Sequence, residues 1–238
     1  MAYVTVTYVL FPVLIVYVGY KLFQQKIVQQ KAKKYWGLFR KLLLSSLTLV
    51  ISNFANLMFL YTDIFIIKVL SDKANSEIAD FSFALNISNM LLLIPLTLVQ
   101  VDIEKLKQPG GHFSILNKRI IYLVIFAAVF LVGFYKVFTQ TVFVDFKETM
   151  TLFLIILVAK IFHALSSLYG TNLLIFKRFK DNLIVNLSML CLNIILCYFM
   201  YSEFGLIGVA ISSGVSLFIR YLILVKLNKE LVFNKTKN

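Results

Sequence analysis

Four ionisable side chains stand inside long apolar runs of this sequence. They are Asp63 in NLMFLYTDIFIIKVL, Lys160 and His163 in LVAKIFHAL, and Arg220 in SLFIRYLIL. A carboxylate or an imidazole can take up and release a proton, and an ammonium or guanidinium group can attract an anion. None of the four belongs to the spacing of a zinc site, a phosphate-binding loop, a nucleophile elbow or a pair of catalytic acids. The residues therefore predict a protein that is not an enzyme and that uses no metal and no cofactor. The two cysteines, Cys191 and Cys197, lack redox or metal spacing and read as packing residues.

A charge in the middle of a membrane span costs about 2.5 to 3.5 kcal/mol on insertion scales, so each of the four needs a partner or water. Asp63 lies near the outer end of its apolar run, which suits either a structural salt bridge or a gating or protonation role. Lys160 is the deepest cation, open to a hydrated, anion-attracting cavity or to pairing with a carboxylate such as Asp63. His163, one turn on, is either a hydrogen-bonded packing residue or a group that titrates near neutral pH. Arg220 is close enough to the inner end of its run to snorkel, or it binds an anion.

The elements that position these groups follow from composition. Of the 238 residues, 60% are apolar and 15% charged, and the mean hydropathy is +0.87. A water-soluble domain does not have this balance. Apolar runs of about 20 residues, each long enough to cross a bilayer as a helix, fall at 3–20, 42–67, 79–101, 119–138, 150–176, 183–201 and 206–226. The expected fold is all-α, a polytopic membrane bundle of about seven transmembrane helices. Its parts are a single helix at 1–20, a basic link at 21–41, a six-helix bundle at 42–227 and a tail at 228–238. The link reads either as an amphipathic helix on the membrane surface or as a charged linker.

Basic residues sort these connections. Lys21 to Lys41, Lys105 to Arg119, Lys177 to Lys180 and Lys226 to Lys237 fall on one side. The other side holds Lys68, Lys73, Lys136 and Lys147 among Asp72, Glu77, Asp80, Asp145, Glu148 and Glu203. The positive-inside rule puts the amino terminus outside and the carboxyl terminus in the cytoplasm. The net charge of +13 is then explained by topology and by anionic membrane lipids rather than by nucleic acid.

Inside the spans the polar residues form stripes. At about 100° per residue, with Asn56 as zero, Ser45 and Asp63 fall near −20°, Ser52 near −40° and Thr48 near −80°. Ser82, Asn86, Asn89, Thr97 and Gln100 share an arc of the next span, with Pro95 opposite as an expected kink. Lys160, His163, Ser167, Gly170 and Thr171 cluster on another. So do Asn182, Asn186, Asn193 and Cys197, and then Ser213, Ser216 and Arg220. The run RIIYLVIFAAVFLVGFYKVF has almost nothing polar between its ends and reads as a lipid-facing helix. Five one-sided stripes imply a shared polar interior, made either for helix association or for a solute.

YTDIFIIKVLSDKANSEIADFSFALNISNMLLLIPLTLV resembles the seventh and eighth spans of bacterial polysaccharide repeat-unit flippases of the O-antigen and capsule type. These belong to the multidrug/oligosaccharidyl-lipid/polysaccharide exporter superfamily. FGLIGVAISSGVSLFIRYLIL is similar to that family's final hairpin, with Gly205, Gly208 and Ala210 at its Gly-x-x-Gly-x-Ala positions. The family's Gly-x-Pro near the start of the seventh span is absent, and LLLSSL stands there.

The resemblance implies the last helix of a first bundle, the link, and a complete second bundle, from a truncated or split gene or a fragmentary reading. It implies a multi-pass protein of the bacterial cytoplasmic (inner) membrane that moves undecaprenyl-pyrophosphate-linked oligosaccharide outward. Its partners would be that substrate, membrane lipids and a separate chain supplying the missing N-terminal bundle. Lys160 and Arg220 would attract the pyrophosphate. Asn56, Asn86, Asn89, Gln100 and Asn193 would contact sugars or pair helices, and Asp63 and His163 would serve protonation or gating. The alternatives are a multidrug-type efflux half, a seven-helix receptor and a membrane-embedded glycan enzyme. Against the receptor stands the position of Lys160 in the fifth span rather than the seventh, and against the enzyme the lack of external catalytic groups.

Overall fold

The computed structural model describes residues 16–17, 29–107 and 112–235. The expected span at 3–20 and the turn at 109–111 lie almost wholly outside the described residues. Every regular element among those described is helical. In order they are α1 (Gln29–Leu70), α2 (Ala74–Asn89), a 3-10 turn (Met90–Leu92), α3 (Leu93–Val101), α4 (Ile103–Lys107) and α5 (His112–Thr141). A second 3-10 turn (Val144–Thr149), α6 (Met150–Ile175) and α7 (Phe179–Lys235) complete the chain. Five helical segments are long and apolar enough to cross a membrane: Tyr35–Leu70, Ala74–Val101, Phe113–Thr141, Val144–Ile175 and Phe179–Glu230. The protein is a multi-pass helical membrane protein.

Residues 1–47 and 48–238 form two units. In the first, Trp36 stacks on Phe39 at 5.7 Å and the Ser46 hydroxyl donates to the Leu42 carbonyl at 2.8 Å. The described helix from Gln29 to Leu70 includes residues well before the apolar run that begins at 42, so composition marks the apolar run but not the full helix.

In the second unit, α5 shows how one period separates core from periphery. Leu116, Ile120, Val124, Ala128, Leu131 and Tyr135 recur every three or four residues and are buried, while Tyr122, Phe126, Val129, Phe130 and Val137 between them are exposed. Tyr135 lies flat on Phe153 of α6, ring centroids 3.8 Å apart. Its hydroxyl is 2.5 Å from Thr149 Oγ1, whose own proton goes to the Phe146 carbonyl, so Tyr135 is the donor. Tyr135→Phe should keep the stacking and lose that one hydrogen bond, lowering stability by about 1 kcal/mol in thermal or denaturant unfolding.

Where a kink is expected at Pro95, the structure has a 3-10 turn one turn earlier in the chain. Proline has no N–H for the Leu91 carbonyl and its ring crowds that group, and the helix tightens to a 3-10 turn over Met90–Leu92 before α3 resumes.

The 57-residue α7 is two helices. Gly205 has φ 57° and ψ −137°, a conformation that glycine adopts freely and L side chains do not. The chain doubles back there. Asn186 meets Arg220, Asn193 meets Ser213 and Cys197 meets Ser212, so partner numbers rise on one arm as they fall on the other. This is an antiparallel hairpin of arms 179–204 and 206–235, close to the expected spans at 183–201 and 206–226. Gly208 packs against the Met200 carbonyl just inside the bend.

Contacts also give directions. Ser52 and Asp63 of α1 meet Asn186 and Asn193 in the same order, so α1 runs parallel to the first arm. Phe162 meets Phe218 and Asn172 meets Asn228, so α6 runs parallel to the second arm. One end of the bundle gathers the start of α2, the Val144–Thr149 turn and the hairpin tip: Tyr201 donates to Glu77 at 2.8 Å and Phe83 stacks on Phe146 at 4.1 Å. The opposite end brings Phe113 against Tyr169 at 5.3 Å.

Candidate functional site

The stripes of α1, α6 and both arms of α7 meet in one polar seam. α1 supplies Ser52 and Asp63, three turns apart on one face. The arms of α7 supply Asn186 with Asn193 and Ser213 with Arg220, each pair seven residues or two turns apart. α6 supplies Lys160 and His163. Equal heptad steps on the two arms stack the contacts as two layers, about 10 Å apart at 1.5 Å per residue.

The first layer is built on Asp63, which is only 5% exposed. Ser213 Oγ lies 2.7 Å from each carboxylate oxygen, Asn193 Nδ2 donates to Oδ1 at 3.0 Å, and Cys197 Sγ lies 3.5 Å from Oδ1. Ser212 Oγ donates to the Val209 carbonyl at 2.8 Å, which leaves the Cys197 thiol as donor in their mutual 2.7 Å contact. Lys160, also buried, lines a cavity with Asp63, Phe59, Ala159 and Ser213 that has room for about one water molecule. Lys160 makes no hydrogen bond or ion pair with any described residue. Opposite charges thus line one small, mostly apolar cavity without touching.

The second layer is built on Ser52 and Arg220. Ser52 Oγ accepts from Asn182 at 3.0 Å and from Asn186 at 2.9 Å. With its amide nitrogen committed there, Asn186 turns its oxygen to Arg220 Nη2 at 3.0 Å. Beyond it, towards the basic end, Asn172 donates to Asn228 at 2.7 Å, and Asn228 donates to the Tyr169 and Leu224 carbonyls at 3.1 and 2.8 Å.

Of the residues singled out from sequence, Asp63, Lys160 and Asn193 come together in the first layer, and His163 and Arg220 in the region of the second. Asp63 and Arg220 are both enclosed by the bundle, the first by hydrogen bonds across three helices and the second behind Asn186. Asn193 is fully buried and hydrogen-bonded with Asp63, Cys197 and Ser213, so it joins its arm to α1 and to the second arm. Asn56 is half-buried. Asn86 and Gln100 are exposed, and Asn89 is half-buried with an enclosed Oδ1 that has no hydrogen-bond partner among the described residues. Ser52, Asn186 and Ser213 belong to the stripes, but their importance comes from their partners. The signal that could have raised them is the matched seven-residue step of Asn186/Asn193 and Ser213/Arg220. Asn228 lies past the apolar run and carries no sequence signal.

The outer surface is of two kinds. Along α5 the exposed side chains are Tyr122, Ile125, Phe126, Val129, Phe130 and Val137, suited to hydrocarbon. Along α2 and α3 the exposed face includes Asn86, Thr97 and Gln100 between Met90, Leu93 and Val101. An open apolar groove lies between α6 and the second arm, floored by Ala159 and Gly214 and walled by Val158, Phe162, Val215 and Phe218. Among the described residues no cluster of His, Cys, Asp and Glu has the makings of a metal site. Comparison of the chain with protein-family models, with curated proteins and with solved structures finds no match.

Proposed function

We propose that the chain forms one bundle of a flippase that moves undecaprenyl-pyrophosphate-linked oligosaccharide across the bacterial cytoplasmic membrane. The observation that carries this reading is the amide-bearing exposed face of α2 and α3. Asn86 lies twelve residues into its helix, about 18 Å along a span of about 30 Å, where lipid offers its amide no hydrogen-bond partner. Such a face belongs against water or another polar surface, and the amides and hydroxyl it shows are what sugar hydroxyls need. The apolar face of α5 is the lipid side by the same reasoning.

Six passes follow once the α7 hairpin is counted as two, and the end rich in Lys and Arg is the cytoplasmic one. A second bundle, from a separate chain or the same one, faces α2 and α3 and closes the passage. Lys160 serves the pyrophosphate when the cavity beside Asp63 widens, and Asp63, released from Ser213 and Asn193, couples that opening to protonation.

The test is export. In cells making a lipid-linked glycan, Lys160→Ala should lower surface glycan about tenfold or more while leaving dye efflux unchanged. An efflux transporter for apolar drugs would show the reverse, with dye export lost and glycan unaffected.

A further inference from the structure

We propose that Arg220, Ser216 and His163 form a site for a small inorganic anion of halide size, held inside the bundle as the counter-ion of the buried guanidinium. Arg220 is 8% exposed, yet only its Nη2 has a hydrogen-bond partner. Its Nε and Nη1 are enclosed by protein with no partner among the described residues, as are Ser216 Oγ and His163 Nδ1. Ser216 and Arg220 stand one turn apart on the second arm. His163 stands on α6, where its neighbour Phe162 packs on Phe218 of the second arm at 5.0 Å, and it lies within electrostatic reach of both Arg220 and Lys160.

The chemistry of these four atoms is one-sided. The guanidinium nitrogens can only donate, and the hydroxyl and one imidazole tautomer donate as well. A single water accepts two hydrogen bonds and brings no charge; a halide accepts several and neutralises the cation. The charge count points the same way. The seam holds two cations, Lys160 and Arg220, and one carboxylate, Asp63, which is already held by Ser213 and Asn193. One positive charge is left over where an uncompensated ion is costly. Enclosure favours a small ion, because all four unpartnered atoms are closed off by protein. The site is separate from the exposed amides of α2 and α3 and does not depend on the cargo.

The experiment is equilibrium binding of radioactive chloride to the purified full chain in lipid nanodiscs, at constant ionic strength made up with gluconate. The expected result is one chloride per chain, displaced by bromide, with affinity reduced at least tenfold in Arg220→Met and severalfold in Ser216→Ala. No saturable chloride binding by the unaltered chain would overturn the proposal, as would affinity unchanged in both variants. If Arg220→Met does not fold, Ser216→Ala decides: weakened binding supports the site and unchanged binding rejects it.

Discussion

Asp63→Leu is expected to cost the bundle about 3 to 5 kcal/mol of stability, the range for removing one member of a buried, charge-bearing network. The carboxylate is the acceptor on which three helices converge. Without it Ser213 and Asn193 each lose a partner, and Lys160 loses the carboxylate that lines its cavity. Asp63→Asn keeps one acceptor oxygen for Ser213 but places an amide nitrogen among donors and removes the charge. It should cost less than Leu and still more than Tyr135→Phe. Denaturant midpoints of the three variants in one detergent give the order directly. A Leu variant as stable as the unaltered chain would mean that the seam holds nothing together.

The second large effect is expected at Gly208. A Cβ there would lie 2.6 Å from the Met200 carbonyl carbon and closer still to its oxygen, and both are backbone atoms that cannot swing aside. Gly208→Ala should therefore push the hairpin arms apart next to the contact of Cys197 with Ser212, at a cost of about 3 kcal/mol. Gly133→Ala is the control. It lies in α5 with nothing within 4 Å of the added carbon, so alanine should be neutral or gain about 0.5 to 1 kcal/mol through helix propensity. Equal melting temperatures for the two variants would show that the bend is looser than the packing at Met200 indicates.

Much of the bundle was legible in the residues, because a bilayer imposes length and a helix imposes period. The apolar runs mark the helices, and arithmetic at about 100° per residue puts Ser52 with Asp63 and Ser213 with Arg220 on common faces. The bend at Gly205 was legible as a break between two runs. What period leaves open is the direction a face looks. Asn86, Thr97 and Gln100 form a stripe as regular as that of Asn186 and Asn193, yet one points out of the bundle and the other in. In water, burial would favour the apolar face and resolve the choice; in a membrane a polar stripe serves an interior seam or a hydrated wall equally well.

The helical part of the link was hidden for a different reason. Gln, Lys and Ala are good helix formers, so residues from Gln29 onward are helical although their charge reads as a link. Asn228 was missed because it sits beyond the last apolar run, where only its bond to Asn172 gives it a place.

The amide face of α2 and α3 should meet water rather than lipid. This can be measured in membranes by labelling single cysteines, in a Cys191→Ser background, with a charged thiol reagent that reacts only where water reaches. Phe126 is 72% exposed, so exposure alone would make Phe126→Cys reactive too. The hydrated-wall account predicts the opposite, with Asn86→Cys and Gln100→Cys labelled and Phe126→Cys untouched. Asn86→Cys as unreactive as Phe126→Cys would contradict it.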